Sequence, residues 1–469
     1  MHRDPNFLQN LRAELSNGRL WLERSIVLAY AVAAGLAIVG FTLLGDWAFE
    51  RFLQINHRQP WLVLLWTPAL TAAIVWCTRR WVPGAAGSGI PQVVAALDPA
   101  MPPAARGRFV SLRLSVAKVG LTAAGLLAGL SVGREGPSVQ VAAGVMQHAR
   151  RWLRPQSGIT DHALLVAGGA AGIAAAFNAP LAGVVFAIEE LSRKLESRSS
   201  GLIITAIVLA GLMAVSAFGN LSYFGVIRVP RLGWEALLPG LVVTVACGAL
   251  GGVFARLLAA SLTGSPERFN LWRQRYPVRF AACGGLAVAV IGLVTGGATF
   301  GAGSEAVKHL LAGEAELPTL YVTLKFVATW LTAWCGVPGG IFAPSLSIGA
   351  GVGHNVSVLA GHPELAAALI AMGMAAFLAA VTQAPLTAFI IVMEMVDGHA
   401  MVLSLMAAAM LASLVSRMVA RPLYETLADA MVHGATPPPA AAPAAAAAPV
   451  SAGPAAEGEP PRSPPATPG

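Results

Sequence analysis

The sequence predicts an all-α polytopic membrane protein built from two repeats of tilted and discontinuous helices, and three observations carry that reading. Only 12% of the 469 residues are charged while 56% are hydrophobic, with a mean hydropathy of +0.67. Soluble domains carry roughly 25% charged residues. Nearly charge-free stretches recur at 26–45, 61–77, 163–188, 201–227, 236–255, 281–304, 326–363, 365–393 and 398–416. Each reaches or approaches the roughly 20 residues that a helix needs to cross hydrocarbon. The third observation is an internal duplication centred on prolines.

Taken in order, residues 1–25 are polar and amphipathic, with Phe7, Leu8, Leu11, Leu15 and Leu20 as the apolar positions. They read as a cytoplasmic helix lying on the membrane surface, without the short apolar core of a cleaved leader. The transmembrane core is expected over 26–432, as repeats of about 26–200 and 201–432. The remainder, 433–469, collapses to Ala and Pro. It cannot bury a core and is expected to be a disordered cytoplasmic tail. Cys77, Cys247, Cys283 and Cys335 are scattered singly in apolar segments and read as small buried hydrophobes.

A net charge of +8 suggests nucleic acid at first sight, but the distribution argues against it. Basic residues cluster before the first span and again at Arg79–Arg80, Arg106–Arg108, Arg150–Arg154, Arg193–Arg198, Arg268–Arg279 and Arg417–Arg421. The loops at 46–60, 220–235, 302–318 and 354–364 are poorer in Arg and Lys or balanced by acids. That alternation is the positive-inside pattern and places both termini in the cytoplasm of a cell-membrane protein. A nucleic-acid surface needs one contiguous basic face instead.

The duplication is visible without gaps. Gly168–Glu190 aligns on Gly373–Met395, sharing Ala-Pro-Leu at 179–181 and 384–386 and a Glu at 189 and 394. Upstream, Gly133–Val145 aligns on Gly340–Val352. Loop charges suggest that the copies are inverted, because Glu189–Glu190 leads into a basic loop whereas Glu394 leads into Asp397 and His399. Repeats with broken helices and a midplane site are the plan of many transporters.

Three segments interrupt the apolar pattern: Gly87-Ser88-Gly89-Ile90-Pro91, Gly133-Arg134-Glu135-Gly136-Pro137 and Gly339-Gly340-Ile341-Phe342-Ala343-Pro344. Gly permits a tight turn, and Pro is tolerated in a first helical turn, whose N–H groups lack partners. Each segment therefore reads as a helix N-terminus inside the membrane. Free N–H groups and the helix dipole attract anions there. Partial charges of this kind bind an ion loosely enough to let it leave again.

These segments, in this order and at these separations, resemble the three signature motifs of the chloride channel/transporter (CLC) family. The similarity extends to Ala176–Gly183 and to Arg421–Tyr424, and covers about 26–430. The resemblance implies the CLC fold, with inverted repeats, and a homodimer in the lipid membrane with one chloride pore per subunit. The short tail is similar to bacterial members that lack cytoplasmic nucleotide-binding modules.

The resemblance also implies roles. Ser88 and Tyr424 match the central chloride ligands, completed by backbone N–H groups of Ile341 and Phe342. Those around Gly133 to Glu135 form an outer site. Glu135 matches the gating glutamate, whose ionised carboxylate competes with chloride and whose protonated form swings aside. The alternative for Glu135 is a structural ion pair with Arg134 or Lys118. Glu190 matches the internal proton-transfer glutamate of antiporting members; a solvated charge at a helix end is the other reading. Gln92 and Val94 stand where some relatives carry acids near the inner glutamate. The implied function is chloride/proton antiport, with a passive voltage- or pH-gated chloride channel as the alternative. No nucleotide loop, metal cluster or cofactor motif is present in the sequence, and no paired nucleophile and base suggest an enzyme.

Overall fold

The computed structural model describes residues 18–192, 200–219, 223–225, 233–264, 267–314, 318 and 320–435. Most of the expected surface helix at 1–25 and nearly all of the tail from 433 lie outside these residues. The first half comprises α1 (Gly18–Arg58), α2 (Val63–Trp81), α3 (Ile90–Leu97), α4 (Pro103–Arg106), α5 (Leu112–Leu127), α6 (Glu135–His148), α7 (Asp161–Ala176), α8 (Pro180–Phe186) and α9 (Ser200–Phe218). The second comprises α10 (Leu237–Thr263), α11 (Arg268–Arg275), α12 (Pro277–Val294), α13 (Ser304–Ala312), α14 (Tyr321–Trp334), α15 (Phe342–Ala360), α16 (Ala366–Thr382), α17 (Pro385–Met395), α18 (Val402–Arg417) and α19 (Leu423–Ala435). α1 runs unbroken through the expected boundary at 25/26. Among the described residues, seven helices are long and apolar enough to cross a membrane.

The apolar runs are interrupted where the chain must leave the α conformation. The run over 163–188 breaks at Asn178 (φ 54°), and that over 365–393 at the matching Gln383 (φ 60°). Each is followed by Ala-Pro, which opens α8 and α17. The run over 326–363 breaks at Gly336–Gly340 between α14 and α15. Discontinuous helices thus replace what composition alone would read as single spans.

Small residues set the packing. α6 meets α7, and α15 meets α16, at backbone distance. A Cβ on Gly168 or Gly172 of α7 would strike the α6 backbone, and one on Gly349 or Gly353 would strike α16. Both pairs are Gly-x-x-x-Gly, the spacing that puts two glycines on one helix face and lets membrane helices approach closely. α16 is buried nearly all round. By contrast α9, α10, α12 and α18 expose large apolar side chains such as Leu212, Leu241, Val290 and Leu414, as lipid-facing helices do. Cys247 and Cys335 are buried as expected, but Cys77 on α2 is only partly buried and Cys283 on α12 is exposed, so the burial expectation is corrected for those two residues.

Reciprocal contacts define the symmetry of the two copies. Gly133 N donates to Gly340 O at 2.8 Å and Gly340 N donates to Gly133 O at 2.7 Å, an antiparallel bridge. Glu189 accepts from Leu386 N (3.0 Å) and Thr387 N (2.6 Å) at the start of α17. Its mate Glu394 accepts from Leu181 N (3.2 Å) and Ala182 N (2.7 Å) at the start of α8. Position i meeting j while j meets i is the mark of a two-fold relation. The antiparallel crossing is what a two-fold axis between the two segments produces. Glu394 thus caps a helix that belongs to the other repeat. α9 packs on α7 and α8 as α18 packs on α16 and α17, so the counterpart of α18 lies beyond the boundary expected at 200.

Candidate anion and proton site

The three Gly-Pro segments converge at the repeat interface. Gly339 N donates to Gly87 O at 3.0 Å, and the Gly133–Gly340 bridge joins the other two segments. α3, α6 and α15 therefore begin side by side. Pro91, Pro137 and Pro344 all stand within the first turns, where their missing N–H leaves no acceptor unpaired. The N-cap residues Arg134 (φ −103°, ψ −11°) and Ile341 (φ −108°, ψ −3°) share one backbone conformation, as repeat mates should. Gly89, at φ 109°, takes the left-handed conformation that opens α3.

The glycines make room for side chains. A Cβ on Gly136 would collide with Ser88 Oγ, and one on Gly133 with a Glu135 carboxylate oxygen. A Cβ on Gly340 would press on Gly136 N and Pro137 Cδ. Gly136→Ala is therefore expected to displace Ser88 and weaken chloride binding about tenfold, roughly 1.4 kcal/mol. Calorimetric titration of the folded variant checks this; unchanged affinity would separate Ser88 from the anion.

Ser88 Oγ and Tyr424 Oη lie close enough to interact, yet both are buried without a partner in hydrogen-bond geometry. Buried hydroxyls left unpaired are costly, so two of them close together are donors suited to an acceptor such as an anion. Phe342 closes one side, its ring 6.1 Å from Tyr424 and 6.2 Å from Phe177.

Glu135 is 2% exposed at the first position of α6. Its carboxylate is approached by the backbone N–H groups of Arg134, Glu135 and Ala343, while Oε2 has no partner in hydrogen-bond geometry. The acid therefore lies near N–H groups at the starts of both α6 and α15. The alternative structural pairing is not what these residues do. Arg134 pairs with Asp46 and donates to Thr42 O. Lys118, fully buried, donates through Nζ to Ala85 O (2.8 Å) and Gly87 O (2.6 Å).

Glu190 stands on a separate element, the π-helical turn Ala187–Leu191 that follows α8, and is partly buried. π-Turns inside helices frequently mark functional positions. The charges of Glu190 and Glu135 both reach Tyr424. Of the expected residues, Ser88, Glu135, Ile341, Phe342 and Tyr424 come together around one locus, and Glu190 stands on a separate element.

Sequence reasoning missed the supports. Lys118 clamps the Ser88 loop, and its mate Lys325 donates to Thr299 O (3.0 Å) and Gly301 O (2.8 Å) in the second repeat. Gln140 donates to Gly84 O (3.0 Å) and Phe109 O (2.7 Å), and Gln92 to Ala86 O at 2.6 Å. A lone lysine inside an apolar helix was the available signal for the first two.

Comparison with known proteins identifies the family. The profile of the family described as "Voltage gated chloride channel" matches residues 70–417. The chain belongs to that family. Among curated CLC relatives, the H(+)/Cl(-) exchange transporter ClcA of Cronobacter sakazakii is 32% identical over 426 residues, 84% of this chain and 87% of that protein. ClcA of Vibrio parahaemolyticus is also 32% identical, over 74% of each chain. In structure, the chain is similar to a slow cyanobacterial Cl−/H+ antiporter (TM-score 0.72, 24% identity, 88% of this chain and 98% of that one). It is also similar to a CLC-type fluoride/proton antiporter (TM-score 0.71, 21% identity, with the same coverage). These structural likenesses establish the CLC fold.

Proposed function

We propose that this CLC protein exchanges chloride for protons across the bacterial inner membrane, as a homodimer with a pathway in each subunit and both termini cytoplasmic. The observation that carries the reading is Glu135: a carboxylate resting on helix N–H donors beside two unpaired hydroxyls. An anion cluster of that kind holds either the carboxylate or chloride. Chloride is bound by Ser88, Tyr424 and the N–H groups of Ile341 and Phe342. Protonating Glu135 removes the competitor and lets the side chain leave.

Protons need a second route, because N–H donors offer a proton no basic resting place. Glu190 supplies a carboxylate on another element whose field reaches the same tyrosine. A passive channel needs no such group, and the curated relatives named above are exchangers. Gln92, in the place of an acid found in some relatives, leaves the inner route resting on Glu190.

By the family resemblance Ser88 favours chloride over nitrate, since nitrate- and fluoride-selecting relatives tend to carry another residue at that position. Ser88→Pro is expected to reduce chloride-over-nitrate discrimination by about 1 kcal/mol, near the net worth of one hydrogen bond. Anion-competition flux assays measure this, and unchanged relative permeability would remove Ser88 from the selectivity site.

A further inference from the structure

Away from the anion site, α10, α11 and α14 enclose a cavity of about 360 Å³. That size falls in the range of small-ligand pockets. Its apolar wall comes from Leu257 and Ala260 on α10, Phe269 on α11, and Trp330 and Trp334 on α14. The two indoles stack at 4.9 Å. Their N–H groups are already satisfied, Trp330 Nε1 by Ser261 Oγ (3.0 Å) and Trp334 Nε1 by Asn270 Oδ1 (2.9 Å). Both rings therefore present apolar faces to the cavity and ask for a hydrocarbon occupant.

The rim is basic. α11 and the start of α12 carry Arg268, Arg273, Arg275 and Arg279 against one acid, Glu267. Among the described residues none of these arginines forms an ion pair with a carboxylate. Arg273 donates to Trp334 O at 3.1 Å, beside the cavity wall, and its buried Nε has no hydrogen-bond partner. Arg79, from the end of α2, adds a second positive charge next to it. Arg275 and Arg279 lie 5.5 and 5.1 Å from the ring of Tyr276. Phe269 (63% exposed), Leu271 and Trp272 project from the same short helix, the pattern of a segment lying in the membrane interface. An apolar slot opening beside unneutralised arginines matches one kind of molecule, with an acyl chain at one end and a negative phosphate at the other.

We propose that this cleft binds an anionic phospholipid, with an acyl chain against Trp330 and Trp334 and the headgroup phosphate on Arg273 and its neighbours. The site is independent of the exchange chemistry and touches none of its residues. Thermal unfolding of the purified full-length protein in non-ionic detergent tests it, with phosphatidylglycerol, phosphatidylcholine or soluble glycerol phosphate added in turn. Phosphatidylglycerol is expected to raise Tm saturably by several degrees, as any ligand of the folded state does, while the other two do not. Arg273→Gln removes the phosphate contact and Ala260→Trp fills the slot. Both variants should lose the shift while retaining chloride flux and oligomeric state. An equal response to phosphatidylcholine, an equal response to glycerol phosphate, or a full shift in Ala260→Trp would each overturn the proposal. A changed oligomeric state in Ala260→Trp would assign the cleft to subunit contact instead and overturn it as well.

Discussion

Glu135→Gln is expected to keep chloride moving while proton uptake falls to background and the pH dependence of flux flattens. The amide is isosteric with the protonated acid but never ionises, so it cannot compete for the N–H donors of α6 and α15. The anion path stays permanently available, and the carrier that couples chloride to protons is gone. Parallel recordings of chloride and pH from reconstituted vesicles read both effects. A Glu135→Gln protein that still moved protons against their gradient would rule out the gating role. The structural surroundings make the substitution benign for folding, since neither Arg134 nor Lys118 depends on the carboxylate for its partners.

Glu190→Gln is expected to give the same loss of proton movement by a different cause. Glu135 keeps its competition with chloride and can still exchange protons with the outer solution, so flux remains sensitive to external pH. What disappears is delivery from the other side, because the half-buried carboxylate that loads and unloads Glu135 has become neutral. The two variants are thus separable: both uncouple, but only Glu135→Gln loses its pH dependence. Normal coupling in Glu190→Gln would place the inner proton relay on another residue.

The site was legible where its signal was local. A carboxylate inside an apolar run, glycines that permit turns, and prolines at first helical turns are visible one residue at a time. Three such clusters in order pointed to a shared locus, and the duplication pointed to its symmetry. The supports were not legible, because they depend on which distant segments meet. Glu189 and Thr387 are 198 residues apart, and Ala182 and Glu394 are 212 apart. Nothing in either helix marks its carboxylate as the cap of the other repeat. Lys118 and Lys325 show as charges in apolar helices, but their carbonyl partners lie 24 to 33 residues away, across turns that only the fold closes. The points where two of the helices break were not legible either. Apolar composition continues through Asn178 and Gln383, where each helix breaks in a left-handed residue whose side-chain amide donates to a distant carbonyl, Gly219 O and Ala420 O respectively. Gln in that conformation carries no strong sequence signature.

The most direct test of exchange uses the unaltered protein in liposomes loaded with chloride, placed in low-chloride medium at equal pH on both sides. Chloride efflux and external proton concentration are recorded together, with the membrane potential clamped by valinomycin and potassium. Exchange predicts that protons enter the vesicles as chloride leaves, so the medium turns alkaline while no proton gradient drives the movement. Chloride efflux with no accompanying alkalinisation would contradict it and make the protein a passive chloride conductor on the CLC fold.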